Sequence, residues 1–218
     1  GSRPNTYSCQ GKSYAPTIDT ASSICGNTIT VVDTADTSSK QFPYGIRLYG
    51  ENLTTNDGIV LAGDYSAQNV NVSSNNITIS RGANAIWLVG TKNINVSQNT
   101  VLFNNSAYST KDNVFGLRIE NSTNAAINAN TINANHIPYV QNVIILDKSK
   151  GVNIAGNALT GAKKHGINLT SSSASISANT ISGNKENGIF CYKNSTMTTN
   201  KNRITGNKKH GIFVNECK

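Results

Sequence analysis

The sequence predicts an all-β solenoid, a parallel β-helix of about seven to eight coils with three short strands per coil. Three observations carry this. Gly166-Ile-Asn-Leu169, Gly188-Ile-Phe-Cys191 and Gly211-Ile-Phe-Val214 are copies of one phrase, starting 22 and then 23 residues apart. About a dozen residues after each of the first two comes a second phrase, Asn179-Thr-Ile181 and Asn202-Arg-Ile204. Finally, no helical spacing lies inside the period, and the abundance of Asn, Ser, Thr and Gly favours turns and strands.

Residues 1–43 fit the repeat poorly and are expected to form an N-terminal cap, with Thr28-Ile-Thr-Val-Val32 as a strand. Residues 44–218 are expected to form the repeat domain with a C-terminal cap. Earlier copies of the first phrase are Gly45-Ile-Arg-Leu48, Gly58-Ile-Val-Leu61, Ala85-Ile-Trp-Leu88, Gly116-Leu-Arg-Ile119 and Val143-Ile-Ile-Leu146. The second phrase recurs from Asn75, Asn99, Asn130 and Asn157, and a third strand such as Ile94-Asn-Val96 falls between the two. Alternating apolar residues in each strand point into the coil. The repeated Asn falls where one strand bends into the next, so its amide is placed to bond its counterparts on the coils above and below.

No stretch is long and apolar enough to cross a membrane as a helix. Up to Asp147 there are 8 basic and 9 acidic residues, a balance of −1; from Lys148 onward there are 11 and 2, a balance of +9. The C-terminal end is therefore expected to attract polyanions, or else to be a solvated, solubilising end. Four cysteines sit near the two ends. In a rod only Cys9–Cys25 and Cys191–Cys217 are near enough to bridge, each fastening a cap; the alternative is reduced thiols, with Cys191 filling a core position. Paired cysteines point to a secreted or cell-surface protein.

The Gly-Ile-x-Leu and Asn-x-Ile phrases, over about residues 45–215, resemble the right-handed parallel β-helix proteins of the pectate-lyase-like kind, including the carbohydrate-binding and sugar-hydrolase repeats. The resemblance implies a right-handed coil and an asparagine ladder. Proteins of that kind are polysaccharide lyases, hydrolases and C5-epimerases, with adhesins and phage tailspikes. The Asp-Pro-His motif of alginate epimerases and the glycine- and aspartate-rich calcium nonapeptide are both absent here. No catalytic set matches, so no residue's role is carried over.

Candidate site residues come from the pattern itself. The third position of each first phrase points outward and makes a column: Arg47, Val60, Trp87, Arg118, Ile145, Asn168, Phe190, Phe213. Two residues on runs a second column: Tyr49, Ala62, Val89, Glu120, Asp147, Thr170, Tyr192, Asn215. Exposed aromatic rings on a flat face suit stacking on sugars; covered by loops or a sister subunit, the same stripe would be an interface through which the chain oligomerises. Arg118, Glu120 and Asp147 are candidates for acting on a uronate, with Arg118 clamping its carboxylate; a plain surface salt bridge is the alternative. The same two carboxylates are the one place for calcium, and no other metal site or cofactor is expected. The three histidines, His136, His165 and His210, share one type of connection with Lys163 and Lys164, an edge expected to grip anions more strongly as pH falls. His136, beside Tyr139, is a further acid–base candidate. Substrate contacts are thus expected from Trp87, Tyr49, Arg47, Tyr139, Lys163, Lys164, His165 and Tyr192. The expected partner is a polysaccharide, anionic in character and acted on by a lyase or epimerase if the chain is an enzyme; the alternative is a non-catalytic adhesin or fibre module. No nucleic-acid reader motif is visible.

Overall fold

In the computed structural model, residues 7–9, 12–14, 22–32, 44–49, 67–80, 83–104, 114–134 and 137–218 are described; the stretches 7–9 and 12–14, with Val32 and Tyr49, are described as backbone alone. Apart from an antiparallel hairpin, Tyr7–Cys9 with Lys12–Tyr14, every strand pairing among these residues is parallel. The strands stack into three faces. The Gly-Ile face comprises Tyr44–Tyr49, Asn84–Val89, Val114–Glu120, Val140–Asp147, His165–Thr170, the first part of Ile189–Asn200, and Ile212–Cys217. A middle face runs from Ser22–Cys25 to the second part of Ile189–Asn200, and an Asn-Ile face of seven strands from Thr28–Val32 to Arg203–Thr205. Ser22–Cys25 and Thr28–Val32 pair in parallel with Val70–Ser73 and Asn76–Ser80, so two strands of the 1–43 region extend the ladders by one rung.

The reason for this coil is visible in each phrase. Residues two and four of the Gly-Ile strands point inward and are buried, as at Ile86 and Leu88, Leu117 and Ile119, Ile144 and Leu146, and Ile167 and Leu169. They meet Ile77, Val101, Ile132, Leu159 and Ile181 from the opposite face in one continuous core. Each such side chain contributes roughly 2 kcal/mol by leaving water. The leading glycine is steric: a Cβ on Gly116 would lie 2.6 Å from Ile132 Cγ2 and 2.7 Å from the Val143 carbonyl.

The bend into the Asn-Ile face holds the asparagine ladder. Asn27, Asn75, Asn99, Asn130, Asn157 and Asn179 each donate from Nδ2 to the next asparagine's Oδ1 at 2.9–3.0 Å, ending at Asn202. From Asn75 onward the same amide also bonds a carbonyl of the rung before, as Asn130 does to Val96 at 2.9 Å. Immediately before each ladder residue sits one with positive φ, from Gly26 through Ser74, Gln98, Ala129, Gly156 and Ala178 to Lys201, at 53–67°. Most are not glycine. Their left-handed backbone costs about 1 kcal/mol each, which the ladder's bonds offset.

A second rail was missed in the sequence. Thr91, Ser122, Ser149, Ser172 and Ser195 are buried at the opposite bend, and each of the first four donates its backbone N–H to the next hydroxyl at 3.0–3.2 Å. Their signal is positional: a small hydroxyl residue six or seven places after the start of the first phrases that open at Ala85, Gly116, Val143, Gly166 and Gly188. One expected rung is corrected. Tyr44–Tyr49 pairs directly with Asn84–Val89, leaving no place between them for Gly58-Ile-Val-Leu61, which lies outside the described residues. Val60 and Ala62, expected in the two columns, likewise lie outside the described residues. Only 13 residues separate Gly45 from Gly58, too few for a coil.

Candidate functional site

The register builds the outward columns of the Gly-Ile face rung by rung. Arg47 pairs with Trp87, Trp87 with Arg118, and the series continues through Ile145, Asn168 and Phe190 to Phe213. Beside it run Tyr49, Val89, Glu120, Asp147, Thr170, Tyr192 and Asn215. Val89 is outward by register yet buried.

The N-terminal part of this face is a closed set of contacts. The Arg47 guanidinium lies 4.5 Å from the Trp87 ring centroid and that of Arg118 lies 5.7 Å from it. Tyr44 and Phe115 flank the indole at 5.1 and 6.2 Å. Arg118 Nε is 3.1 Å from Glu120 Oε2, and its Nη2 is 3.3 Å from Asp147 Oδ2. Arg118 is thus held by its own carboxylates, at about one quarter exposure for each of the three side chains. Glu120 and Asp147 converge on that one guanidinium. Trp87 Nε1 is shielded from solvent and has no acceptor among the described residues. The expectation that Trp87 offers a free ring to a sugar is corrected, because guanidinium groups pack against it. Burial, first among the causes, raises the Tyr44 hydroxyl pKa, with Arg47 and Arg118 opposing.

The C-terminal part is arranged differently. His165, Phe190 and Phe213 form a column of nearly parallel rings, with centroids 4.6 and 5.6 Å apart and planes within 8°. His210 stacks on Phe213 at 5.3 Å, and Tyr192 lies 5.9 Å from Phe190. Rings stacked along the column spend their faces on one another and show edges to solvent, which corrects the expected sugar-stacking platform. His165 is also corrected. It is buried, its Nδ1 lies within bonding distance of the Asn187 backbone and side-chain nitrogens, and burial holds its pKa down to about 4 against the pull of Glu186. It remains neutral over the range in which an anion-gripping histidine would charge.

The lysines flanking it do reach solvent. Backbone bonds align the turns 163–165, 185–187 and 208–210 on successive rungs, and Lys163, Lys164, Lys185, Lys208 and Lys209 are all exposed. Glu186 pairs with Lys209 at 3.2 Å. Among the described residues no carboxylate pairs with the other four. Tyr139, expected at the surface, is buried in the core. His136 lies outside the described residues, as does the side chain of Tyr49. Cys191 and Cys217 are bridged, with Cα atoms 5.9 Å apart. Cys25 is disulfide-bonded too, while the side chain of Cys9, its expected partner, lies outside the described residues. Among the described residues no group of three or more metal-ligating side chains gathers.

Fold and face together define a right-handed parallel β-helix with one chemically distinct side. Residues 57–217 match the family model for the right handed beta helix region, and the chain belongs to that family. No curated protein matches the chain. Among solved structures, that of a trypsin-treated variant of QnrB1, described as a plasmid-mediated fluoroquinolone resistance protein, aligns over 80% of this chain and 92% of its own, at 11% identity and a TM-score of 0.24.

Proposed function

We propose that this β-helix recognises an acidic polysaccharide along the lysine-bearing edge of its Gly-Ile face, outside the cell or at its surface. The observation that supports this most is the column Lys163, Lys185, Lys208, exposed on three successive rungs and lacking carboxylate partners among the described residues. Rungs recur at about 4.8 Å, so a linear polyanion lying along the axis meets one cation per rung. Lys164 and the aromatic edges of Phe190, Phe213 and Tyr192 border the same strip. The disulfides favour an oxidising compartment. The reading is one of binding without chemistry, because Arg118, the natural clamp for a uronate, is already held by Glu120 and Asp147.

The test is co-sedimentation and calorimetry with alginate, pectin, heparin-like and teichoic polymers at low and high salt, with ultraviolet absorbance followed for unsaturated uronate products. At low salt the variant Lys163→Glu/Lys185→Glu/Lys208→Glu is expected to bind about 100-fold more weakly, roughly 1 kcal/mol per reversed charge. Binding to none of the polymers, or equal binding by the variant, overturns the proposal. Appearance of unsaturated product would replace it with a lyase.

A further inference from the structure

Charge is not spread evenly around the rod. The middle-face strands from Val70–Ser73 to Ser173–Ser177 contain no charged residue. Neither do the Asn-Ile strands from Asn76–Ser80 to Thr180–Ser182. Lysines gather instead at the two bends that border the Gly-Ile face. The turns before its strands carry the edge already described. The bend after its strands carries a second set, Lys148, Lys150 and Lys193, all exposed.

Backbone geometry aligns this second set. Asn121, Lys148, Ser171 and Lys193 hold one place on successive rungs, each with positive φ of 48–56°. Lys148 and Lys193 therefore stand two rungs, about 10 Å, apart along the axis. Lys150 lies beside them, in line with Thr123 and Lys92 of the rungs before. Of the nearby carboxylates, Asp147 is held by Arg118 and Glu216 lies one rung beyond Lys193. Among the described residues neither pairs with these lysines. The six-residue strand His165–Thr170 separates the two bends, so the edges run parallel and roughly 20 Å apart. That gap exceeds the Debye length of about 8 Å at physiological salt, and it is wider than one sugar chain.

We propose that Lys148, Lys150 and Lys193 form a second polyanion-binding edge, and that the protein ties two acidic polysaccharide chains side by side. This rests on the reading of the first lysine edge as a polysaccharide site. Charge complementarity selects the same class of ligand at both edges, while the gap between them makes each edge act on its own chain. With one cation on every second rung at Lys148 and Lys193, against one on every rung at Lys163, Lys185 and Lys208, the second edge is the weaker of the two.

Light scattering from dilute chains of the same four polymers at physiological salt, with calcium removed, tests this alongside calorimetry. Scattering is expected to rise as protein is added and to fall again in protein excess, when every chain is coated separately. The variant Lys148→Glu/Lys150→Glu/Lys193→Glu is expected to lose that peak while the first edge binds as before. Lys148→Asn/Lys193→Asn, which places at this bend the residue type that Asn121 already supplies, should lower the peak with no change in melting temperature. Binding without a scattering peak, as for a chain laid across both edges, would overturn the second edge alone. So would a peak that both variants retain, or a rise that never reverses. Binding to none of the polymers would overturn the first edge with it.

Discussion

The two halves of the Gly-Ile face use similar ingredients to opposite ends. Around Trp87 the charges are spent internally: Arg118 is held by two carboxylates, and the indole packs against two guanidinium groups. Around Phe190 the rings are spent internally, while the lysines stand clear of them. Charge available to a ligand is what remains after a surface has satisfied itself. By that measure the residues most suggestive of chemistry bind the protein to itself, and the plain lysine turns are the more open surface.

The comparison can be broken at Arg118. Arg118→Ala leaves two partly buried carboxylates facing each other and is expected to cost about 2 kcal/mol in urea denaturation, somewhat less than a fully buried pair would. The triple lysine variant should stay within about 0.5 kcal/mol of wild type. Equal costs would mean the two halves are not different in kind. His165 sharpens the contrast through pH. Its folded-state pKa of about 4 lies below the unfolded value near 6.5, so the unfolded chain binds the extra proton first. The neutral, buried imidazole therefore contributes fully above pH 6.5, and that contribution is lost as pH falls from 6.5 toward 4. Removing it with His165→Asn is expected to flatten this part of the stability–pH curve by on the order of 1–2 kcal/mol. An unchanged curve would place the titration elsewhere. The smallest effect is expected at the open end of the ring column, where Phe213→Ser should cost the monomer about 0.5 kcal/mol or less by thermal melting; a larger loss would mean that the last rung is packed more tightly than its exposure indicates.

Most of the fold was legible because the sequence repeats it. The outward columns follow from strand alternation, and the register reproduces them apart from Val60 and Ala62. The false rung at Gly58 shows the limit of reading a phrase without its spacing. What stayed hidden was side-chain direction. Lys163-Lys-His165 reads as a polar turn, yet the third position falls in the column of Asn187, just ahead of the close-packed glycine, and is buried, its ring stacked on Phe190. Alternation also places Trp87 and Phe190 outward without saying whether their faces or their edges meet solvent. The serine rail had a positional signal that was available, hidden by the commonness of serine throughout the chain.

The C-terminal bridge has a mechanical consequence. Along much of the rod, neighbouring rungs are joined by ladder bonds between residues 22 to 24 apart, so a pulled end should release one rung at a time, about 75 Å of contour length per step. Cys191 and Cys217 are 26 residues apart and tie the last strand of the Gly-Ile face to the rung before it. While the bridge is intact, a force applied at Lys218 bypasses that strand and bears on the core at Cys191. Reduction would add one early, low-force step to the unfolding trace.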